Sequence, residues 1–122
     1  MDLSTLLPLD EIVLAIKDPR GAPTDITITL AGPAHPVTLA VDRAQADERF
    51  KAKEDPTLDQ FLDEFQNDMV SRTLGWENVA WQGAPLPFSV DNARMLYANP
   101  SLSWLRNQVS KSLRDVNLFF PV

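Results

Sequence analysis

The chain has 122 residues, 44% hydrophobic and 23% charged, with 17 acidic and 11 basic side chains for a net charge of −6. That size holds one core and no more, and that composition is that of an ordinary folded globule. The absence of cysteine excludes disulfides, thiolate nucleophiles and zinc–thiolate sites, and the acidic balance argues against a nucleic acid partner, which is held by Lys and Arg.

No basic-then-apolar leader opens the sequence, and no apolar run approaches the roughly 18 residues needed to span a bilayer. A reducing cytosol is the expected compartment, with no membrane partner. Charge is unevenly spread: residues 1–68 hold 14 acidic and 6 basic side chains, a net of −8, while residues 69–122 hold 3 and 5, a net of +2. Opposite signs favour head-to-tail self-association, a heterologous contact that builds rings or open helical arrays.

The 10 prolines cluster between Pro8 and Pro36 and between Pro85 and Pro100, which predicts short elements with marked ends. Glu11 to Lys17 is a short apolar run rich in β-branched residues. It stops at Asp18-Pro19-Arg20-Gly21, after which Asp25 to Leu30 alternates apolar and polar with period two. A β-hairpin with one wet face is therefore expected within residues 10–31.

Two helices are expected within residues 36–74. Pro36 suits the first position of a helix running to about Lys53. That helix has one apolar row of Val37, Ala40, Val41 and Ala44, and nearly opposite it a second row of Leu39, Ala46 and Phe50. Either the alanines are neutral and Phe50 is simply exposed, or one row meets the core and the other a neighbouring subunit.

Pro56 is expected to open the next helix, in which Leu58, Phe61, Leu62, Phe65 and Met69 share one arc of about 100 degrees. Its other face carries Asp55, Asp59, Asp63, Glu64 and Asp68, like charges one turn apart that cost about 0.2 to 0.5 kcal/mol per pair, less near the N-terminus. Such a row reads as a solvated face, as a face that docks a partner, or as a metal site. The last lacks the Glu-x-x-His pair that helical carboxylate sites add.

Gly75 is expected to cap that helix. Residues 75–88 hold Trp76 and Trp81 and read as an aromatic loop or short strand. Two more helices are expected within residues 89–116. Ser89, with Asn92 three residues on, begins a brief one, and Asn99-Pro100 begins the last, from Ser101 to about Val116. In the last helix Leu102, Leu105, Val109, Leu113 and Val116 share a face, and Trp104 projects about 140 degrees from its centre. Trp104 is thus either an exposed binding residue or packed under the Trp76–Phe88 segment. Residues 117–122 form an apolar tail whose Phe119 and Phe120 should find a groove on the body, on another copy or on a client.

Catalytic signals are sparse. The single histidine, His35, lies in a turn without a triad partner and reads as a surface or capping residue. No phosphate-loop, dinucleotide-binding or zinc-protease motif occurs. The expectation is a non-enzymatic protein without cofactor, α+β in class: one mainly α-helical domain with an N-terminal β-hairpin. The partner-facing candidates are Trp104, Phe119, Phe120, Phe50, Asp55, Asp59 and Asp63.

The stretch Gly75 to Leu105, with Pro85-Leu86-Pro87-Phe88-Ser89, Asn92-Ala93, Asn99-Pro100 and Trp104-Leu105, resembles the small tail assembly chaperones of long-tailed bacteriophages. Ile26 to Pro36 resembles that family's β-segment and the start of its first helix. The resemblance implies a protein that acts in the host cytoplasm and is absent from the mature virion. It would coat the long tape measure protein, keep it soluble and recruit tail tube protein, with a longer form made by ribosomal frameshifting. A structural head-tail connector or tail terminator shares the same size, acidity and turn-rich composition.

Overall fold

The computed structural model describes residues 1–52 and 54–120. Lys53, about which the first long helix is expected to end, and Pro121 and Val122 of the apolar ending lie outside the described residues. The fold is α+β: an antiparallel sheet in the order β1-β2-β3, a small sheet of β4 and β5, and four α-helices.

The expected hairpin forms from β1 (Glu11–Lys17) and β2 (Pro23–Ala31). They pair in a register that sets Ile12 against Leu30 and Leu14 against Ile28. Ile16, Ile28 and Leu30 are buried, whereas Glu11, Val13 and Ala15 face outward, the period-two split of a sheet covered on one side. The turn is held by Asp18, whose carboxylate accepts from the N–H groups of Arg20 and Ala22, both at 2.9 Å. Gly21 there takes φ +85°, a left-handed conformation that costs a glycine least. On α4, described below, Gln108 reaches Lys17: its amide oxygen accepts the Lys17 N–H at 2.9 Å, and its NH2 donates to the Lys17 carbonyl at 2.8 Å.

Helix α1 (Pro36–Lys51) begins as its proline predicts, and His35 is its cap, the imidazole Nδ1 accepting the Val37 N–H at 3.0 Å. Helix α2 (Leu58–Arg72) begins with a feature not anticipated from the sequence, a reciprocal capping box between Thr57 and Gln60. Asp55 therefore precedes the helix, and the expected helical repulsion between Asp55 and Asp59 does not arise.

The end of α2 corrects a second expectation. The helix stops at Arg72, three residues before Gly75, and the chain passes directly into β3 (Thr73–Glu77), where Gly75 pairs with Thr29. Thr73 makes this turnless junction. Its N–H donates back to the Met69 and Val70 carbonyls, and its hydroxyl donates to the Met69 carbonyl at 2.8 Å. With that proton committed, the buried Tyr97 hydroxyl donates to Thr73 Oγ1, also at 2.8 Å.

The aromatic stretch becomes β3 and a tight hairpin of β4 (Ala80–Trp81) and β5 (Ala84–Pro85). Gln82 and Gly83 both have positive φ, as a two-residue hairpin turn of primed type requires. The Trp76 indole donates to the Leu86 carbonyl at 2.9 Å and meets Phe88 edge-on at 5.0 Å.

Helix α3 (Val90–Ala98), capped by Ser89, and α4 (Ser103–Arg114) close the core with Ala93, Leu96, Tyr97, Leu105, Val109 and Leu113. A short 3-10 turn, Val116–Phe119, follows α4, so Val116 leaves the helical face assigned to it and stands exposed. The apolar ending is not free. Phe119 is 1% exposed, and its carbonyl accepts the Leu9 N–H. Next to that contact Gly32 donates to the Asp10 carbonyl at 2.7 Å, so closely that a Cβ on Gly32 would collide with the carbonyl oxygens of Leu9 and Asp10.

Burial pushes the Tyr97 phenol up to about 12. A pKa raised from about 10 in the unfolded chain leaves stability constant below pH ~10 and removes about 2 to 3 kcal/mol of it as pH climbs to ~12. Chemical denaturation across that range should show the loss, and Tyr97→Phe should abolish it while costing about 1 kcal/mol at neutral pH.

Candidate functional site

Helix α2 carries the clearest apolar stripe in the sequence, yet only its C-terminal end enters the core. Met69 and Val70 are buried, whereas Leu58, Phe61, Leu62 and Phe65 are 75%, 51%, 55% and 39% exposed. The cause is the length of the neighbour. Helix α3 has nine residues and meets α2 at Gln66 and Asn67, where the Gln66 amide donates to the Arg94 carbonyl and Arg94 donates to Asn67. Nothing among the described residues covers the first two turns.

Helix α1 lies beside α2 without closing the stripe. Arg49 pairs with Glu64 at 3.2 Å, and its guanidinium carbon stands 5.5 Å from the Phe61 ring centre. The pair is solvent-facing and contributes little to stability. Of the two rows expected on α1, Val37 and Val41 are half-buried, while Leu39 is exposed and Phe50 is 92% exposed near the tip of the helix pair. Around that tip an open cleft is lined by Glu48, Arg49, Asp55, Gln60, Phe61 and Asp63.

The acidic row divides in two. Asp55, Asp59 and Asp63 are exposed. At the helical period Asp59 stands next to Leu62 at the edge of the stripe, whereas Asp63 lies on the face away from it and, with Asp55 just before the helix, lines the cleft. Asp68 does not share that face. It is half-buried in the seam between α1 and α2, where desolvation raises its pKa, Arg72 opposes the rise, and Asp42 and Glu64 add to it.

Among the described residues no group of three or more His, Asp or Glu side chains is placed to hold a metal ion, and no helix is long and apolar enough to cross a membrane.

The other candidates are dispersed. Phe119 is a core residue and not a surface one, because the turn after α4 folds it inward against the hairpin. Trp104 is half-buried and packs against the core, so it is not a free binding residue. Phe120 remains exposed at the end of the last turn. Of the candidates, Asp59 borders the open stripe, Asp55 and Asp63 line the cleft between the helices, and Phe50 is exposed near the end of α1.

The spacing of the stripe residues shows that they share a face but not what covers it. One signal in the sequence sets this helix apart: a surplus of carboxylates without a matching base before Arg72.

Comparison with protein-family models, with curated proteins and with solved structures found no match to this chain.

Two outcomes test this placement. Trp104→Ala should lower stability by about 2 to 4 kcal/mol, as loss of a packed aromatic does, whereas a solvent-exposed tryptophan would leave the melt unchanged. A raised carboxyl pKa gives stability that is present below the ordinary carboxylate range and lost as pH rises through the folded value. Asp68→Asn should therefore raise Tm at neutral pH by on the order of a few degrees, and the gain should vanish in melts recorded below pH ~4, where the carboxyl is protonated in both states.

Proposed function

We propose that this chain is a non-enzymatic tail assembly chaperone of a long-tailed bacteriophage. It binds the tape measure protein, keeps it soluble and helps recruit tail tube protein in the host cytoplasm, and it is absent from the finished virion. Copies associate head to tail through the opposed charges of the two parts of the chain.

The observation that supports this reading most is the uncovered stripe of Leu58, Phe61, Leu62 and Phe65. An apolar surface of that kind on a folded protein marks a place where another chain is held. The carboxylates beside it keep the free protein soluble through like-charge repulsion. The resemblance of Gly75–Leu105 and Ile26–Pro36 to the chaperone family supplies the client.

Co-expression with the neighbouring tape measure gene tests the reading. The wild-type chain should raise the soluble fraction of that protein several-fold, and Phe61→Ser combined with Leu62→Ser should lose the effect while keeping its far-UV circular dichroism and melting temperature. Stoichiometric recovery of the chain from purified virions by mass spectrometry would replace this reading with that of a connector or tail terminator.

A further inference from the structure

We infer that the segment docking on α2 is a basic amphipathic helix, with an apolar row seated on Leu58, Phe61, Leu62 and Phe65 and with Lys or Arg beside Asp59 and the acidic residues Glu54 and Asp55 just before the helix. The inference rests on the stripe being the docking surface of the proposed function, and it names the chemistry of what docks there.

Charge complementarity carries the first half. Asp59 borders the stripe beside Leu62, and Glu48, Glu54 and Asp55 line the tip of the helix pair. Of the cations in the last turn of α1, Arg49 is taken by Glu64 and the Phe61 ring, and Lys51 alone stands against these carboxylates among the described residues. An acidic partner would bring like charges together as water is excluded, whereas Lys and Arg side chains can lay their stems on the stripe and their heads on the carboxylates.

The acidic and apolar surfaces of a second copy match poorly: its exposed leucines, Leu3, Leu6 and Leu7, lie between Asp2 and Asp10, and two α2 stripes face to face would oppose their own aspartates. The head-to-tail contact of the proposed function draws instead on the basic part of the chain, with Lys111 and Arg114 at the end of α4, and leaves the stripe to the client.

Backbone hydrogen bonding carries the second half. The peptide groups of α2 are engaged within the helix, so the stripe offers side chains and no free backbone edge. An extended segment laid across it would bury its own N–H and C=O groups without partners, which is costly for each. A helix arrives with those groups already paired. The stripe runs from Leu58 to Phe65, about 10 Å at the helical rise, and a partner of three or more turns covers it in the helix-in-groove manner.

Three synthetic peptides of about 18 residues, five helical turns, test the inference by calorimetry and circular dichroism. One places Leu at helical spacing with Lys elsewhere, the second replaces every Lys by Glu, and the third keeps the Leu/Lys composition in strict alternation. The first should bind one to one, gain helix on binding, and exceed the other two by roughly tenfold or more. Its affinity should fall by a similar factor for the Phe61→Ser/Leu62→Ser variant, and several-fold with added salt or for Asp55→Asn/Asp59→Asn.

Equal binding of the alternating or Glu peptide would overturn the inference while client solubilisation in cells stood. Solubilisation undiminished by the two serines would overturn the underlying reading itself. Concentration-dependent self-association of the wild type that the two serines abolish would give the stripe to a second copy and overturn the inference in that direction.

Discussion

The fold turns on a helix that becomes a strand with no loop between them. Thr73 is the last place where α2 is held and the first residue of β3, and its hydroxyl is shared between the Met69 carbonyl and the buried Tyr97 hydroxyl. A buried hydroxyl without a partner costs about 1 to 3 kcal/mol, so these two must find each other. In doing so they fix α3 against the end of α2. The sheet direction, the placement of Met69 and Val70 in the core and the angle at which α2 leaves the body all follow from that junction. Arg72 strengthens it from the other side by donating to the Ala31 carbonyl at the end of β2.

That geometry explains why half of α2 is bare. A helix pinned at its C-terminal end by a strand continues outward as far as its own hydrogen bonding carries it. Cover is supplied only where another element is long enough to follow. Helix α1 follows on one flank but brings Asp42 toward Asp68 and Glu64, so the seam between the two helices is electrostatically opposed to close packing. Between the two helices one ion pair is found among the described residues, Arg49–Glu64. With so much of its apolar surface exposed, the outer part of the pair lies toward the low end of local stability compared with the sheet.

Much of this architecture was legible in the sequence, because local chemistry decides it. The alternation in Asp25–Leu30, Pro36 at a helix start, Ser89 as a cap, and Asp18-Pro19-Arg20-Gly21 as a turn each act within a few residues, and each is found where its spacing puts it. Asn99 caps a 3-10 turn, Pro100–Leu102, and not the last helix, which starts at Ser103 without a side-chain cap. The errors share one cause. A helical period tells which side chains share a face and says nothing of how far the neighbouring element extends. Leu58, Phe61, Leu62, Phe65 and Met69 do share a face, yet of these only Met69 reaches the core, and Val116 lies beyond the end of the helix its spacing assigns it to. Phe119 escaped for a related reason: its burial depends on a carbonyl contact with Leu9, more than a hundred positions away in the chain. Trp104 was left open between two environments, and the structure gives it the packed one.

Gln108 shows how a protein with so much open apolar surface protects its weakest edge. Strand β1 has a partner on one side only, and an edge with unpaired peptide groups invites other chains to add on. The side-chain amide of Gln108 presents one acceptor and one donor at the spacing of a peptide group, and it occupies the Lys17 backbone in the way a neighbouring strand would. A single side chain thus stands in for the missing fourth strand at that point. The edge of β1 is thereby closed at its end to strand addition, without a strand being built to close it.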